Sequence, residues 1–222
     1  MDAHANGRRC DAVVFDNDGL LLDTEESWTR AERILFRRRG RTLTAEHRRE
    51  LIGLPQSDTE TTFERMLDAP GEGHALMVET WQLVFAELTR YAPPRPGALE
   101  LIARLQAAGI PMAVASNSPR SLVDRALATA GIDQDTFTVV LTADAVTHPK
   151  PAPEIYLAAC AALGTEPART LVLEDSQTGV AAGMAAGCYT IAVPGMPEID
   201  LGQASLVVDS LASPEITQTL GL

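Results

Sequence analysis

Six short apolar runs, each continuous rather than alternating, recur along the chain and limit what it can fold into. They are AVVFD at 12–16, PMAVAS at 111–116, FTVVLT at 137–142, TLVLED at 170–175, YTIAVP at 189–194 and SLVVD at 205–209. A strand with one face in water alternates apolar and polar residues, whereas an unbroken apolar run suits a strand buried on both faces of a parallel sheet. Parallel neighbours need a crossover, and most of the gaps hold a helix-like stretch: GALELIARLQAAG, PRSLVDRALATAG, PEIYLAACAALG and QTGVAAGMAAG. Each closes on a glycine suited to a C-terminal cap. The pattern predicts an α/β fold, an open, doubly wound parallel sheet of the Rossmann-like kind.

One gap breaks the rhythm. From Thr24 to about Tyr91 there are only helical signals, EESWTRAERILFRRRG, TAEHRRELIGL, SDTETTFERMLD and HALMVETWQLVFAELTRY, before APPRPG returns the chain to the sheet. Ser57 and Glu60 have the spacing of a capping box. A chain of 222 residues has room for one core and a smaller inserted module. The expected organisation is therefore a catalytic core of residues 1–23 and 94–222 with a helical cap, 24–93, inserted after the first strand. Such an insertion sits over the carboxyl ends of the strands, where ligands bind in these sheets. Arginines crowd into 30–49, and a solvated helix face explains them more simply than a phosphate-attracting patch.

The net charge of −12 argues against nucleic acid and against an anionic membrane surface as partner. No run approaches a membrane span, and the apolar run after Arg8–Arg9 is too short for a twin-arginine signal, so a cytoplasmic protein is expected, acting as a monomer on a small ligand. Cys10, Cys160 and Cys188 are odd in number and widely spaced, which indicates neither a disulfide framework nor a zinc site. They read as small hydrophobes, with Cys10 the one expected nearest the surface.

The strand ends carry the chemistry. The first run stops on DNDG, with Asp16 and Asp18 two residues apart and Gly19 allowing a sharp turn; the second on Ser116, Asn117 and Ser118; the fourth on Glu174 and Asp175. After the third comes HPKPAPEIY with Lys150. A parallel sheet brings these ends to one edge and gathers four carboxylates, a hydroxyl and an ammonium. Four carboxylates without a His or Cys cluster suit a hard, oxygen-seeking cation, Mg²⁺ first among them. Of the 18 basic residues, Lys150 is the only lysine, which suggests a site that rejects the broader guanidinium.

The set FDNDGLLLDTE, VASNS, HPKPAPEIY and LEDSQTGVAAGMAAG resembles, in order and over nearly the whole chain, the four motifs of the haloacid dehalogenase-like hydrolases, in the branch with a helical cap after the first motif. The resemblance implies that Asp16 is the nucleophile, Asp18 the general acid and base, and Ser116, Asn117 and Lys150 the phosphate-binding residues. It further implies that Asp16, the main-chain carbonyl of Asp18, Glu174 and Asp175 hold Mg²⁺. The expected activity is hydrolysis of a small phosphorylated metabolite through an aspartyl-phosphate. Asp18 separates this chain from the branch that cleaves carbon–halogen bonds, which lacks the second aspartate. The β-phosphoglucomutases of the same architecture carry a His where this chain has Trp28 and an Arg where it has Gln56, so a mutase is the alternative rather than the first expectation. A non-catalytic phosphate-binding module is a further one. DTEESWTRAE is instead similar to the sugar-phosphate phosphatases, whose E-x-x-W-x-R-A-E makes Trp28 either a sugar-stacking residue or helix-packing core.

Overall fold

The structure, a computed structural model, describes residues 9–195 and 200–222. Arg8 therefore lies outside the described residues. Six parallel strands form one sheet: β1 Ala12–Phe15, β2 Met112–Ala115, β3 Val139–Leu141, β4 Thr170–Glu174, β5 Tyr189–Ala192 and β6 Leu206–Val207. Their spatial order is β3-β2-β1-β4-β5-β6. The chain thus winds outward from β1 in one direction and then in the other, which puts the switch point between β1 and β4, whose carboxyl ends are where ligands bind in such sheets.

The unbroken apolar runs are explained by the two faces of the sheet. Val13, Phe15, Met112, Val114, Leu171, Leu173 and Ile191 point to one side and pack on α5 (Ala98–Ala107), α6 (Arg120–Thr129) and α9 (Pro214–Thr219). Val14, Ala113, Ala115 and Val172 alternate with them and meet α7 (Glu154–Leu163) and α8 (Gln177–Ala185). The crossover helices end as their glycines require: Gly109, Gly131, Gly164 and Gly187 take φ of +64°, +72°, +66° and +80°.

Between β1 and α5 lie four helices, α1 (Glu25–Arg38), α2 (Ala45–Leu51), α3 (Gln56–Leu67) and α4 (Gly73–Leu88). Leu35, Phe36, Leu51, Phe63, Met66, Leu67, Leu76 and Met77 give them an apolar core of their own. The outgoing and returning chains run side by side, Asp23 N donating to Pro93 O at 2.8 Å and Arg95 N to Leu21 O at 3.0 Å. Trp28 and Trp81 pack against both this core and that of the sheet. Arg125 of α6 stacks over Phe85 of α4 at 4.8 Å. Among the described residues no helix is long and apolar enough to cross a membrane.

Two local expectations are not met, the Ser57–Glu60 capping box and a Cys10 near the surface. Helix α3 begins at Gln56 behind Pro55, so Ser57 falls inside it and the capping box sits instead at Thr44 and His47 of α2. The Pro55 ring fixes φ near −60° and starts the helix without a capping side chain. Cys10 is fully buried, because the chain leading into β1 is covered by the C-terminal helix: Arg9 and Cys10 donate to Thr219 O. All three cysteines are free and buried, as an undisulfided chain should have them. The arginines of 30–49 are largely paired, Arg30 with Glu26, Arg38 with Glu79, Arg39 with Glu72 and Glu79, and Arg48 with Glu25 and Glu32.

Candidate active site

Register places the polar groups. Phe15 lies level with Val114 on one side and Leu173 on the other, so the next residues along the three strands, Asp16, Ala115 and Glu174, come to the same height. Lys150 reaches this point from the loop before α7. Its ammonium is 2.6 Å from Asp16 Oδ1, 2.6 Å from Glu174 Oε1 and 2.9 Å from the Ala115 carbonyl. An ammonium has three protons, and each has an acceptor here. The Lys150 main chain is clasped by Asn117, whose amide donates to Lys150 O at 3.0 Å and accepts from Lys150 N at 2.9 Å. The Asn117 side chain is therefore engaged in fixing Lys150.

Glu174 is fully buried and saturated. Oε1 accepts from Lys150 and from the Tyr156 hydroxyl at 2.6 Å, and Oε2 accepts from Asp175 N at 3.0 Å, Ser176 N at 3.1 Å and Ser176 Oγ at 2.9 Å. The carboxylate presses on the first turn of α8 at Gly179, where a Cβ would occupy the same space. Asp175 stands beside Gly19, whose φ of +86° and missing Cβ let the DNDG turn pass against Asp175 Oδ2.

The two aspartates of DNDG follow β1 in a turn, and they meet different surroundings. Among the described residues the Asp18 carboxylate is held by hydroxyls: Thr24 Oγ1 donates to Oδ1 at 2.9 Å, and Ser118 Oγ and Ser116 Oγ donate to Oδ2 at 2.8 and 3.2 Å. Ser116 is itself oriented by Ser118 N at 3.0 Å. Of the four expected carboxylates, Asp16, Glu174 and Asp175 converge, with ligand atoms within 4.8 Å of one another, while Asp18 stands in its hydroxyl nest.

The charges constrain what these oxygens can hold. Burial pushes the Asp16 carboxyl up to about 8, with Glu174 and Asp18 adding to the rise and Lys150 opposing it. Asp175 is raised well above the carboxylate range by burial and by repulsion from Asp16, Glu174 and Glu25. Burial also works against the Lys150 charge, but Asp16 and Glu174 hold its pKa raised. Burial opposes the Glu174 charge too, and Lys150, Tyr156 and the Ser176 amide outweigh it and keep its pKa lowered. One ammonium thus settles Glu174 and leaves Asp16 and Asp175 short of positive charge. A hard dication among these oxygens fits that deficit.

Sequence reading named Asp16, Asp18, Ser116, Asn117, Lys150, Glu174 and Asp175, and the structure brings all of them to one edge. Trp28 is seated as a partly buried joint between the two apolar cores. Sequence reading gave no role to Thr24, Ser118, Tyr156 or Gly179. Thr24 and Ser118 are hydroxyls inside the first two motifs, FDNDGLLLDTE and VASNS, and were legible there. Tyr156 and Gly179 look in sequence like ordinary helix residues.

The sequence model of the haloacid dehalogenase-like hydrolases matches residues 10–187. Validoxylamine A 7'-phosphate phosphatase of Streptomyces hygroscopicus subsp. limoneus is 35% identical over 81% of this chain and 83% of its own length. The bifunctional riboflavin kinase/FMN phosphatase of Arabidopsis thaliana is 32% identical over 84% of this chain, which spans about half of it, 49%. Among solved structures, CbbY of Rhodobacter sphaeroides in complex with phosphate superposes with a TM-score of 0.83 at 29% identity, covering 96% of this chain and 100% of that one.

Proposed function

Because the chain belongs to the haloacid dehalogenase-like hydrolases, we propose that it is a phosphatase that hydrolyses a small phosphorylated metabolite, a sugar phosphate by first choice, through an aspartyl-phosphate on Asp16. The observation that carries this reading is the split between the two aspartates of one turn. Asp16 lies against the Lys150 ammonium, and Asp18 lies among three hydroxyls. Two neighbouring carboxyls in unlike surroundings are suited to unlike tasks.

Asp16 is the nucleophile, attacking phosphorus in line. Lys150, whose three protons are engaged, acts on the phosphoryl oxygens through its charge, and the Ser116 hydroxyl turns from Asp18 to donate to one of them. Asp18 gives its proton to the departing oxygen and next takes one from the water that opens the aspartyl-phosphate. The nest suits both duties, because a hydroxyl can donate to a carboxylate or accept from a carboxylic acid. Asp16, Asp175 and the main-chain oxygen of Asp18, with Glu174 behind them, are the residues that would hold Mg²⁺, which when bound supplies positive charge to a phosphoryl oxygen and keeps Asp16 ionised. Helices α1–α4 serve as the cap, entering and leaving at residues 24 and 93.

A mutase finds little support at its two diagnostic positions, since Trp28 packs into apolar cores and Gln56 pairs with Glu60 along its own helix at 2.8 Å. The test is phosphate release from a panel of phosphorylated metabolites with Mg²⁺, alongside isomerisation of sugar phosphates. Phosphate release that EDTA abolishes and Mg²⁺ restores is the expected result. Full turnover in excess EDTA, or isomerisation without release, would overturn the reading.

A further inference from the structure

The E-x-x-W-x-R-A-E stretch has a use that the catalytic residues do not account for. Its two outer carboxylates, Glu25 and Glu32, both hold one guanidinium, that of Arg48 on α2. Arg48 Nη2 is paired with Glu25 Oε2, Nη1 lies 3.3 Å from Glu32 Oε1, and Nε donates to Thr29 Oγ1 at 2.9 Å. Glu25 directly follows Thr24, whose hydroxyl holds Asp18, so the cluster begins at the acid/base residue. The Glu25 carboxylate also stands close enough to Asp175 to repel its charge. The Arg48 side chain is 15% exposed, and two of its five N–H groups have no acceptor among the described residues. Glu32 Oε2 is buried and likewise without a partner there.

Resting on the phosphatase reading above, we propose that Arg48 is a specificity-determining residue that donates to the oxygens of an uncharged, hydroxylated leaving group. Charge selects that class. Glu25 balances the guanidinium, and Glu32, whose carboxyl burial raises to about 7, adds no positive charge, so the cluster offers no net positive potential to a second phosphate or a carboxylate on the substrate. A hydroxyl suits this pair, accepting from a spare N–H of Arg48 and donating to the exposed carboxylate of Glu25. An arginine that merely fastened α2 to α1 would matter equally for every substrate.

The experiment compares sorbitol 6-phosphate, fructose 1,6-bisphosphate and p-nitrophenyl phosphate, the last with a leaving group that carries no hydroxyl. The wild-type protein should prefer sorbitol 6-phosphate to the bisphosphate. Arg48→Met should lower the ratio of kcat/KM for sorbitol 6-phosphate to that for p-nitrophenyl phosphate by ~10–100-fold, chiefly through KM, the usual worth of a hydrogen bond from a charged donor. Arg48→Lys should lower it less, and it carries the test if the methionine variant does not fold. A ratio within ~2-fold of wild type in the folded variants, or preference for the bisphosphate, would overturn the proposal while leaving the phosphatase reading intact. If the wild-type protein releases phosphate from none of the three, the phosphatase reading fails and this proposal with it.

Discussion

Lys150 shows most directly how a single residue is specified. Three acceptors surround one nitrogen, two of them carboxylates at 2.6 Å, and the residue is 2% exposed. A guanidinium spreads its donors over a plane and cannot converge on that point, which explains why a chain that otherwise uses only arginine keeps a lysine here. Lys150→Arg preserves charge, so a residue that only added positive potential would tolerate it. The arrangement predicts a fall in turnover of ~10²–10³, read by steady-state kinetics, with the thermal unfolding transition intact. Asp16 and Glu174 were legible because each sits at a strand end, where local pattern fixes position, and Lys150 because it is the only lysine in the chain. Tyr156 was not, because helical periodicity tells which face is buried but not that the tip of one ring reaches a carboxylate on the neighbouring strand at 2.6 Å.

At the scale of elements, α8 illustrates a local preference overridden by what it packs against. Ala is the better helix former by about 1 kcal/mol, so Gly179→Ala would strengthen an isolated helix. In the folded protein the added Cβ would coincide with the Glu174 carboxylate, itself pinned by five donors from four residues. The substitution is predicted to lower stability by about 1–3 kcal/mol, in keeping with overpacking. It should also reduce turnover by at least ~10²-fold, because Lys150 and Asp175 lose their common support. Thermal unfolding together with kinetics reads both effects, and a more stable, fully active variant would contradict this account of Glu174. Sequence reading saw QTGVAAGMAAG as a crossover helix and was right about the element. Its Ser57–Glu60 cap failed because the spacing exists at several places in a helical stretch, and Pro55 decided which residue starts α3.

For the molecule as a whole, the insertion was legible from a negative sign, the lack of any strand-like run between Thr24 and Tyr91. The strand order was not, because apolar runs identify strands without ordering them, and the reversal at β1 appears only in the paired registers. That reversal gives the account its centre. It brings Asp16 between the ends of β2 and β4, under Lys150, and sets Asp18 in a hydroxyl nest that includes Thr24 at the start of the inserted helices. If Asp16 carries the phosphoryl group, the intermediate should accumulate once the base that hydrolyses it is removed. In Asp18→Asn with p-nitrophenyl phosphate, whose leaving group needs no proton, formation should outrun hydrolysis. Acid quenching followed by borohydride reduction converts an aspartyl-phosphate to homoserine, and peptide mass spectrometry locates it. The prediction is homoserine at position 16 alone, dependent on substrate and absent when Asp16 is also replaced by Asn; substrate turnover with no reduced residue at 16, or with the label on another carboxylate, would contradict it.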